Sequence, residues 1–205
     1  MKQGWKATKL DDIATLRPNK KEAKSVLRET DEVSFVPMEC LLIDSMALAK
    51  HESRPLSKVY GGYTYFRDGD VLLAKITPCF ENGKLGIASG LKNGIGFGSS
   101  EFFVIRPSGE VLAEYLYHFF NREEFRVFAK DRMTGAVGHK RVPKELLSEM
   151  LVPLPSLEEQ NAIVEKLSEL HASVDAAMAH YKAQMSNLED LQQSLLQTAF
   201  AGELT

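Results

Sequence analysis

An apolar repeat in the C-terminal fifty residues constrains the fold more than any other part of the chain. Pro153 and Pro155 end the preceding structure, and Ser156 stands three residues before Glu159, the spacing of a helix capping box. After this start, apolar residues recur every seven positions almost to the end of the chain. The pattern predicts a helix of about 40 residues, roughly 60 Å long at 1.5 Å per residue.

The predicted helix carries an apolar seam. The residues that we expect in a dimer or partner interface are Ile163, Leu167, Leu170, Val174, Tyr181, Leu188, Leu191 and Leu195, with Ala177 in register and Gln184 as an interruption. An apolar stripe of this length needs another surface to bury it. We therefore interpret residues 153–205 as a dimerisation and spacer helix. Packing of this helix against its own domain is the alternative.

Residues 1–152 have the pattern of one folded domain, in which short strand-like runs alternate with glycine and proline turns. The predicted strands are 33–36, 63–66, 71–76, 85–88 and 102–105, and the predicted helices are about 111–130 and 143–150. Asn82-Gly83 is a strong hairpin-turn signal, which places Glu81 and Lys84 as the flanks of a turn. The fold class that follows is α+β, a mixed, mostly antiparallel curved sheet followed by a long C-terminal helix.

Composition places this chain among soluble cytoplasmic proteins. Its 205 residues, 44% of them hydrophobic, suffice for one domain plus the helix. We expect no membrane span, because there is no run of about 18 apolar residues, and the N-terminus lacks the apolar core of a signal peptide. Cys40 and Cys79 are too few for a metal cluster or a disulfide framework, so we expect reduced thiols.

The net charge of −3 hides an uneven distribution. Residues 156–205 hold two basic and eight acidic side chains, a net charge of −6, which leaves +3 for residues 1–155. A mildly basic domain is weak evidence for nucleic-acid binding, so local clusters matter more. Lys20, Lys21 and Lys24 form one such cluster, which we interpret as a phosphate contact or plain surface.

Three glycine-containing loops, 75–84, 94–101 and 132–141, are candidates for DNA binding. The first and third are basic, and the second is expected to carry small hydroxyl groups at a flexible rim. Lysine and arginine can contact phosphates or guanine edges, hydroxyl groups and histidine can contact bases or the backbone, and glycine lets the chain approach a ligand closely. The alternative is that they are solvated loops. The candidate DNA-binding residues are Lys75, Thr77, Lys84, Ser99, Ser100, Arg132, Thr134, His139, Lys140 and Arg141.

Motifs for catalysis are largely missing from the sequence. There is no phosphate loop, no Gly-x-Ser-x-Gly elbow, no His-Glu-x-x-His and no Asn-Pro-Pro-aromatic segment. Asp68, Asp70, Glu81 and Lys84 resemble a nuclease metal site, but the three-residue offset from Glu81 to Lys84 would place these two side chains on opposite faces of a strand. We therefore predict no catalytic residue and no metal site, with a nuclease as a minor alternative.

The motifs taken together are similar to those of the specificity (S) subunits of type I restriction–modification systems. The similarity spans almost the whole chain, and its most specific part is residues 152–164, Val-Pro-Leu-Pro-Ser-Leu-Glu-Glu-Gln-Asn-Ala-Ile-Val. The other segments that carry it are Gly4-Trp5 with Leu10, 69–78, 82–84, 99–102, 134–142 and 194–204.

This resemblance implies that the domain reads one half of a two-part DNA site and that the helix acts as a ruler. Family members usually carry two domains and two helices, so the chain resembles a half subunit that forms an antiparallel homodimer. The alternative is a fragment that pairs with another S polypeptide. Double-stranded DNA, methyltransferase (M) subunits and the restriction/translocase (R) subunit are the other implied partners. No cofactor is expected in this chain, because S-adenosylmethionine, ATP and magnesium belong to the partner subunits.

Three other functions stay open on the sequence alone. A stand-alone dimeric DNA-binding regulator would bind DNA tightly without a methyltransferase. A nuclease would cleave DNA by itself with magnesium, and a structural coiled-coil adaptor would not bind DNA at all.

Overall fold

The structure, a computed structural model, describes residues 4–136 and 138–203. Met1 to Gln3, Val137 in the loop 132–141 and Leu204 in the final motif lie outside the described residues. The chain divides into two compact units, Met1–Asn161 and Ala162–Thr205. The first unit contains the sheets, and the second contains most of the long helix.

Ten strands and seven α-helices make up the described part of the chain. The strands are β1 (Lys6–Lys9), β2 (Ala14–Leu16), β3 (Glu32–Val36), β4 (Glu52–Pro55), β5 (Thr64–Arg67), β6 (Val71–Ala74), β7 (Leu85–Ile87), β8 (Ile95–Gly98), β9 (Phe102–Pro107) and β10 (Leu151–Leu154). The helices are α1 (Leu10–Ile13), α2 (Lys21–Val26), α3 (Leu56–Val59), α4 (Ala113–Phe120), α5 (Glu123–Lys130), α6 (Lys144–Ser148) and α7 (Leu157–Phe200), and Met38–Cys40 and Lys92–Gly94 form short 3-10 turns.

The strands form three sheets, ordered β2-β9-β6-β7, β4-β3-β8-β5 and β1-β10. Every pair is antiparallel except β3 with β8. The mixed, mostly antiparallel α+β class predicted from the sequence is therefore confirmed. Because β1 pairs with β10, the two ends of the globular unit are joined to each other.

Two apolar clusters form much of the core. One surrounds Phe66, Leu72 and Phe102, and the other surrounds Val33, Leu56 and Phe97. Strand β8 pairs with β3 and β5, and both of these strands contribute side chains to both clusters. These buried side chains fix the strand ends from which the candidate binding loops emerge.

The predicted single helix over 111–130 is wrong, because the segment forms α4 and α5 with a break between them. Arg122 is extended at φ −69° and ψ 140°, and Asn121 ends α4. The Arg126 guanidinium donates to both the carbonyl and the side-chain oxygen of Asn121 and so stabilises the break. The change of direction brings the Phe125 ring to 5.0 Å from that of Phe120, which buries both rings. The shorter predicted helix over 143–150 is confirmed as α6.

Asn82-Gly83 does not make the predicted tight hairpin turn with Glu81 and Lys84 as its flanks. Strands β6 and β7 do pair antiparallel, but the connection between them occupies residues 75–84. It coils in helical turns, with the Asn82 amide donating to the Pro78 carbonyl, and Gly83 takes a φ of 74°. Coiling places Phe80 in the core, which a two-residue turn would not do.

Residues 94–101 are also not the flexible rim expected from their glycines. Strand β8 occupies half of this segment and is buried. A Cβ atom on Gly96 would lie 2.2 Å from the Phe66 ring, so the glycine is needed for the ring to pack against the strand. Ser99 and Ser100 follow directly at the end of this rigid strand.

Helix α7 begins as the sequence predicted. The Ser156 hydroxyl accepts a hydrogen bond from the Glu159 amide at 3.3 Å, the first half of a capping box. The helix has 44 residues, a length of about 66 Å at 1.5 Å per residue. None of the helices among the described residues is both long enough and apolar enough to cross a membrane.

Candidate nucleic-acid interface

The two basic loops are hydrogen-bonded into one small ribbon. The Thr77 amide donates to the Lys140 carbonyl at 3.0 Å, and the Lys140 amide donates to Thr77 Oγ1 at 3.1 Å. Isolated bridges join Arg141 to Ile76 and to Thr134. The sequence-predicted residues at 75–77 and 134–141 therefore lie together, although about 60 residues separate them along the chain.

The loop 94–101 contacts the same ribbon. The Lys75 amide donates to the Glu101 carbonyl at 2.9 Å, and Lys75 Nζ donates to the Ser100 carbonyl at 2.8 Å. Ser99 Oγ accepts from the Glu101 amide at 3.1 Å, which holds the chain in a turn after β8. Eight predicted residues thus share one region: Lys75, Thr77, Ser99, Ser100, Thr134, His139, Lys140 and Arg141.

One carboxylate organises the charge of this region. Glu101 accepts two hydrogen bonds from the Arg141 guanidinium, at 3.0 and 2.8 Å, and lies 4.0 Å from Lys75 Nζ. The hydrogen bonds from Arg141 lower the pKa of Glu101, so this carboxylate is charged at neutral pH. Burial lowers the pKa of Lys75, and the nearby positive charges of Arg17 and Arg141 lower it further against the attraction of Glu101. Lys75 and Arg141 therefore flank the Glu101 carboxylate, and Arg17 adds a third positive charge near Lys75.

Two neighbouring clefts open beside these groups. The Lys75 cleft has a volume of about 230 Å³ and is lined by Lys75, Phe103, Arg141 and Lys144 among others. The Gly61 cleft has a volume of about 320 Å³, and its lining includes Asn19, Lys20, Gly61, Gly62 and Tyr63. Arg17, Thr64 and Ser100 line both clefts, so these three residues mark the junction between them.

Arg17 lies in this region but is not among the residues that the sequence predicts. It follows β2 with a φ of 61°, and its amide donates to the Val104 carbonyl at 2.8 Å. A lone arginine before a proline, outside every basic cluster, gives no signal in the sequence. Its position depends on the pairing of β2 with β9, which joins segments about 90 residues apart.

Lys84 and Arg132 do not line either cleft. Lys84 Nζ donates to the Met38 carbonyl at 3.0 Å, so its charge serves the packing of the globular unit. Arg132 donates to the Phe128 carbonyl at the end of α5 and stacks over the Phe128 ring at 3.9 Å. Lys20 and Lys24 lie over the Tyr60 ring, and Lys20 also donates to the Tyr60 carbonyl.

The acidic residues of the nuclease-like pattern have structural partners instead. Asp70 is 1% exposed and accepts two hydrogen bonds from Arg106, at 2.7 and 2.8 Å. Asp68 accepts from the Leu91 amide, and Glu81 pairs with Lys130. Across residues 4–136 and 138–203 there is no group of three or more acidic, histidine or cysteine side chains that could hold a metal ion.

The seam residues of α7 lie on the surface of the helix. Of the eight predicted interface residues, Ile163 and Leu167 are half-buried. The others have exposed fractions between 50 and 66%: Leu170, Val174, Tyr181, Leu188, Leu191 and Leu195. This is the exposure expected of an apolar stripe that a partner covers.

Comparison with known proteins identifies the family. The model of the type I restriction modification DNA specificity domain matches residues 2–184. The chain is 35% identical over 196 residues to the specificity subunit of the type I restriction enzyme EcoAI of Escherichia coli, covering 95% of this chain and 33% of the relative. It is 36% identical over 197 residues to the EcoEI specificity subunit of the same species, covering 96% and 32%. The chain thus spans about a third of the length of these curated relatives.

Solved structures share the fold. The crystal structure of the HsdS subunit from Thermoanaerobacter tengcongensis superposes with a TM-score of 0.69 at 20% identity, covering 98% of this chain and 50% of that one. A chain from a structure of an assembled type I R-M system gives a TM-score of 0.70 at 20% identity, covering 100% and 47%. Since the family model matches most of its residues, this chain belongs to the type I restriction–modification DNA specificity domain family.

Proposed function

We propose that this chain reads one half of a bipartite DNA site for a type I restriction–modification complex. Family membership gives it a recognition role rather than a catalytic one. The observation that carries the proposal is the pairing of Lys75 and Arg141 with the Glu101 carboxylate, with the further positive charge of Arg17 near Lys75, beside two clefts. An excess of positive charge attracts the DNA backbone, and the polar side chains in the clefts can contact base edges.

The second part of the proposal is an antiparallel homodimer formed through α7. The exposed seam supports it, since pairing two such helices would bury apolar side chains that are otherwise in water. A two-fold axis makes both halves of the dimer equivalent. Such a dimer would read two identical, inverted half-sites and would set the length of the unread spacer between them.

The third part concerns the remaining subunits. Methyltransferase subunits would dock on the dimer and supply the S-adenosylmethionine chemistry, and a restriction/translocase subunit would use ATP and magnesium. Met178 and Met185, which are 65% and 60% exposed near the middle of α7, widen the apolar surface there. A wider stripe fits the burial of this part of the helix by more than one partner.

Reconstitution tests the proposal against its rivals. The purified chain, its methyltransferase subunits and S-adenosylmethionine carrying a labelled methyl group are mixed with DNA that lacks the modification. We expect methyl transfer only when the chain and the methyltransferase are both present. Tight, sequence-specific binding by the chain alone would favour the regulator, and magnesium-dependent cleavage by the chain alone would favour the nuclease. Absence of DNA binding by the complete mixture would favour the adaptor.

A further inference from the structure

We propose that Arg17 is a specificity-determining residue that reads the edge of a guanine from the junction of the two clefts. This inference rests on the proposed DNA-reading function and adds the residue and the type of base. Guanine presents two acceptors, N7 and O6, on its major-groove edge, and the planar fork of an arginine matches both at once.

The location of Arg17 is the first argument. It lines both the Lys75 cleft and the Gly61 cleft, together with Thr64 and Ser100. The polar side chain of Asn19 lies in the Gly61 cleft next to it. Hydroxyl and amide groups around an arginine are the set needed to contact neighbouring bases as well as the guanine itself.

The charge environment of Arg17 is the second argument. Arg141 is held by two hydrogen bonds to Glu101, and Lys75 donates to a carbonyl. Arg17 is exposed, and within residues 4–136 and 138–203 it forms no ion pair with a carboxylate. Its donors therefore face solvent at the point where both clefts meet and are available to a ligand with acceptors.

The backbone at Arg17 is the third argument. A φ of 61° lies in the left-handed region, which residues other than glycine, asparagine and aspartate seldom occupy. The bond from the Arg17 amide to the Val104 carbonyl helps to hold it there. Strained positions of this kind cluster at binding sites, because they aim a side chain in a direction that a relaxed backbone would not.

Room for a base is available on the other side of the junction. Cβ atoms added to Gly61 and Gly62 would meet nothing within 4 Å, so the Gly61 cleft is open to solvent at these two residues. A base edge could approach Arg17 without displacing a side chain from these two positions. A phosphate contact would need only the charge of Arg17 and neither cleft. The experiment therefore distinguishes a loss of discrimination at one base pair from an equal weakening of binding to all duplexes.

The test uses the chain assembled with its methyltransferase subunits. A map of methylated bases first gives the target, and duplexes are then made with the target and with each single base pair replaced. Arg17→Gly removes the side chain and suits the positive φ, so the fold is expected to persist, which circular dichroism can check. Discrimination at one G·C pair should fall about tenfold, with the other positions unchanged.

Arg17→Lys and a matched control complete the design. Arg17→Lys keeps the charge but loses the fork, so it should lose the same discrimination; discrimination kept at the native level would show that charge alone suffices and would overturn the inference. Arg28→Gly, at an exposed arginine that lines neither cleft, should leave the discrimination at every base pair unchanged.

Two other results would count against Arg17 as a base reader. Equal weakening of all duplexes by Arg17→Gly, with a salt dependence reduced by about one ion, would assign it to a phosphate. Unchanged binding would remove it from the interface. A native complex that does not distinguish its target from the replaced duplexes would instead contradict the proposed function.

Discussion

Arg106 shows how a single residue ties the globular unit together. Its guanidinium, on β9, donates to Asp70 before β6 and, at 2.6 Å, to Glu22 on α2. The Tyr65 hydroxyl donates to the same Glu22 carboxylate from β5. These charge-assisted bonds raise the pKa of Arg106 despite its burial. The network connects both four-stranded sheets to α2, the helix that follows Asn19 and Lys20 of the Gly61 cleft.

Removing one member of this network should destabilise the chain. In Asp70→Ala, the Arg106 guanidinium, only 12% exposed, loses its buried partner. Because Glu22 remains as a partner of Arg106, we expect the free energy of unfolding to fall by about 2–3 kcal/mol, less than for a buried charge that has lost every partner. Urea denaturation measures the change, with Glu149→Ala, at an exposed acid, as the control. A loss below about 1 kcal/mol would show that the pair contributes little.

The loop 132–141 offers a second test at the scale of residues. Lys140 and Arg141 are both exposed, but only Arg141 is paired with Glu101. Each alanine variant should weaken DNA binding and lower the salt slope by about one, because one phosphate contact is lost. Arg141→Ala should weaken binding more, since it also leaves the charged Glu101 facing DNA. Titrations across a salt series measure both, and unchanged slopes for both variants would remove the loop from the interface.

At the scale of elements, α7 was the best predicted part of the chain. Its start is fixed by Ser156 and by Gln160, a fully buried side chain. Gln160 Oε1 accepts from the Leu112 amide, and Nε2 donates to the carbonyls of Glu110 and Pro155. These bonds give a physical reason for the glutamine in the 152–164 motif, because an apolar residue there would leave three backbone groups without this partner, one of them in a buried bond.

The seam of α7 can be tested by introducing charge. In a two-fold dimer, Leu167→Asp with Leu188→Asp places four carboxylates in the interface, and burying unpaired charge is prohibitive. We expect a soluble monomer in light scattering, with helical content retained. Ala172→Asp with Gln193→Asp has the same 21-residue spacing on the opposite side of the helix and should remain dimeric. If the seam variant stays dimeric, the interface lies elsewhere.

The length of α7 can be tested separately from its seam. Four residues inserted after Gln184 lengthen the helix by about 6 Å at 1.5 Å per residue. Since base pairs are about 3.4 Å apart, the spacer of the recognised site should grow by roughly two base pairs. Mapping methylated bases in DNA modified by the variant complex measures this. A spacer of the original length would rule out the helix as a ruler.

For the whole molecule, local sequence patterns predicted some strands and missed others for identifiable reasons. Strands β3, β5, β6, β7 and β9 were found because β-branched or aromatic runs end in turn residues. Strand β10 contains Pro153, and β1 is short and polar, so neither has a strand signal of its own. Both depend on their mutual pairing across about 145 residues, which no local pattern reveals.

The candidate site shows the same division between local and long-range information. Lys75 and Arg141 could be found because each lies in a basic loop with glycines. The proximity of Lys75 and Arg141 depends on the bridge between Ile76 and Arg141, and the proposed role of Arg17 depends on its backbone conformation. Neither could be predicted from the sequence. Lys84 and Arg132 have the right chemistry in similar loops, yet the fold directs both side chains to backbone carbonyls.

The central claim concerns symmetry. One kind of globular unit, paired through one kind of helix about a two-fold axis, must read the same bases twice in opposite orientations. Mapping the methylated adenines in DNA from cells that carry the complete system measures this directly. The proposal predicts two identical, inverted half-sites separated by a spacer of fixed length. Two different half-sites, or one continuous site without a spacer, would contradict the homodimer.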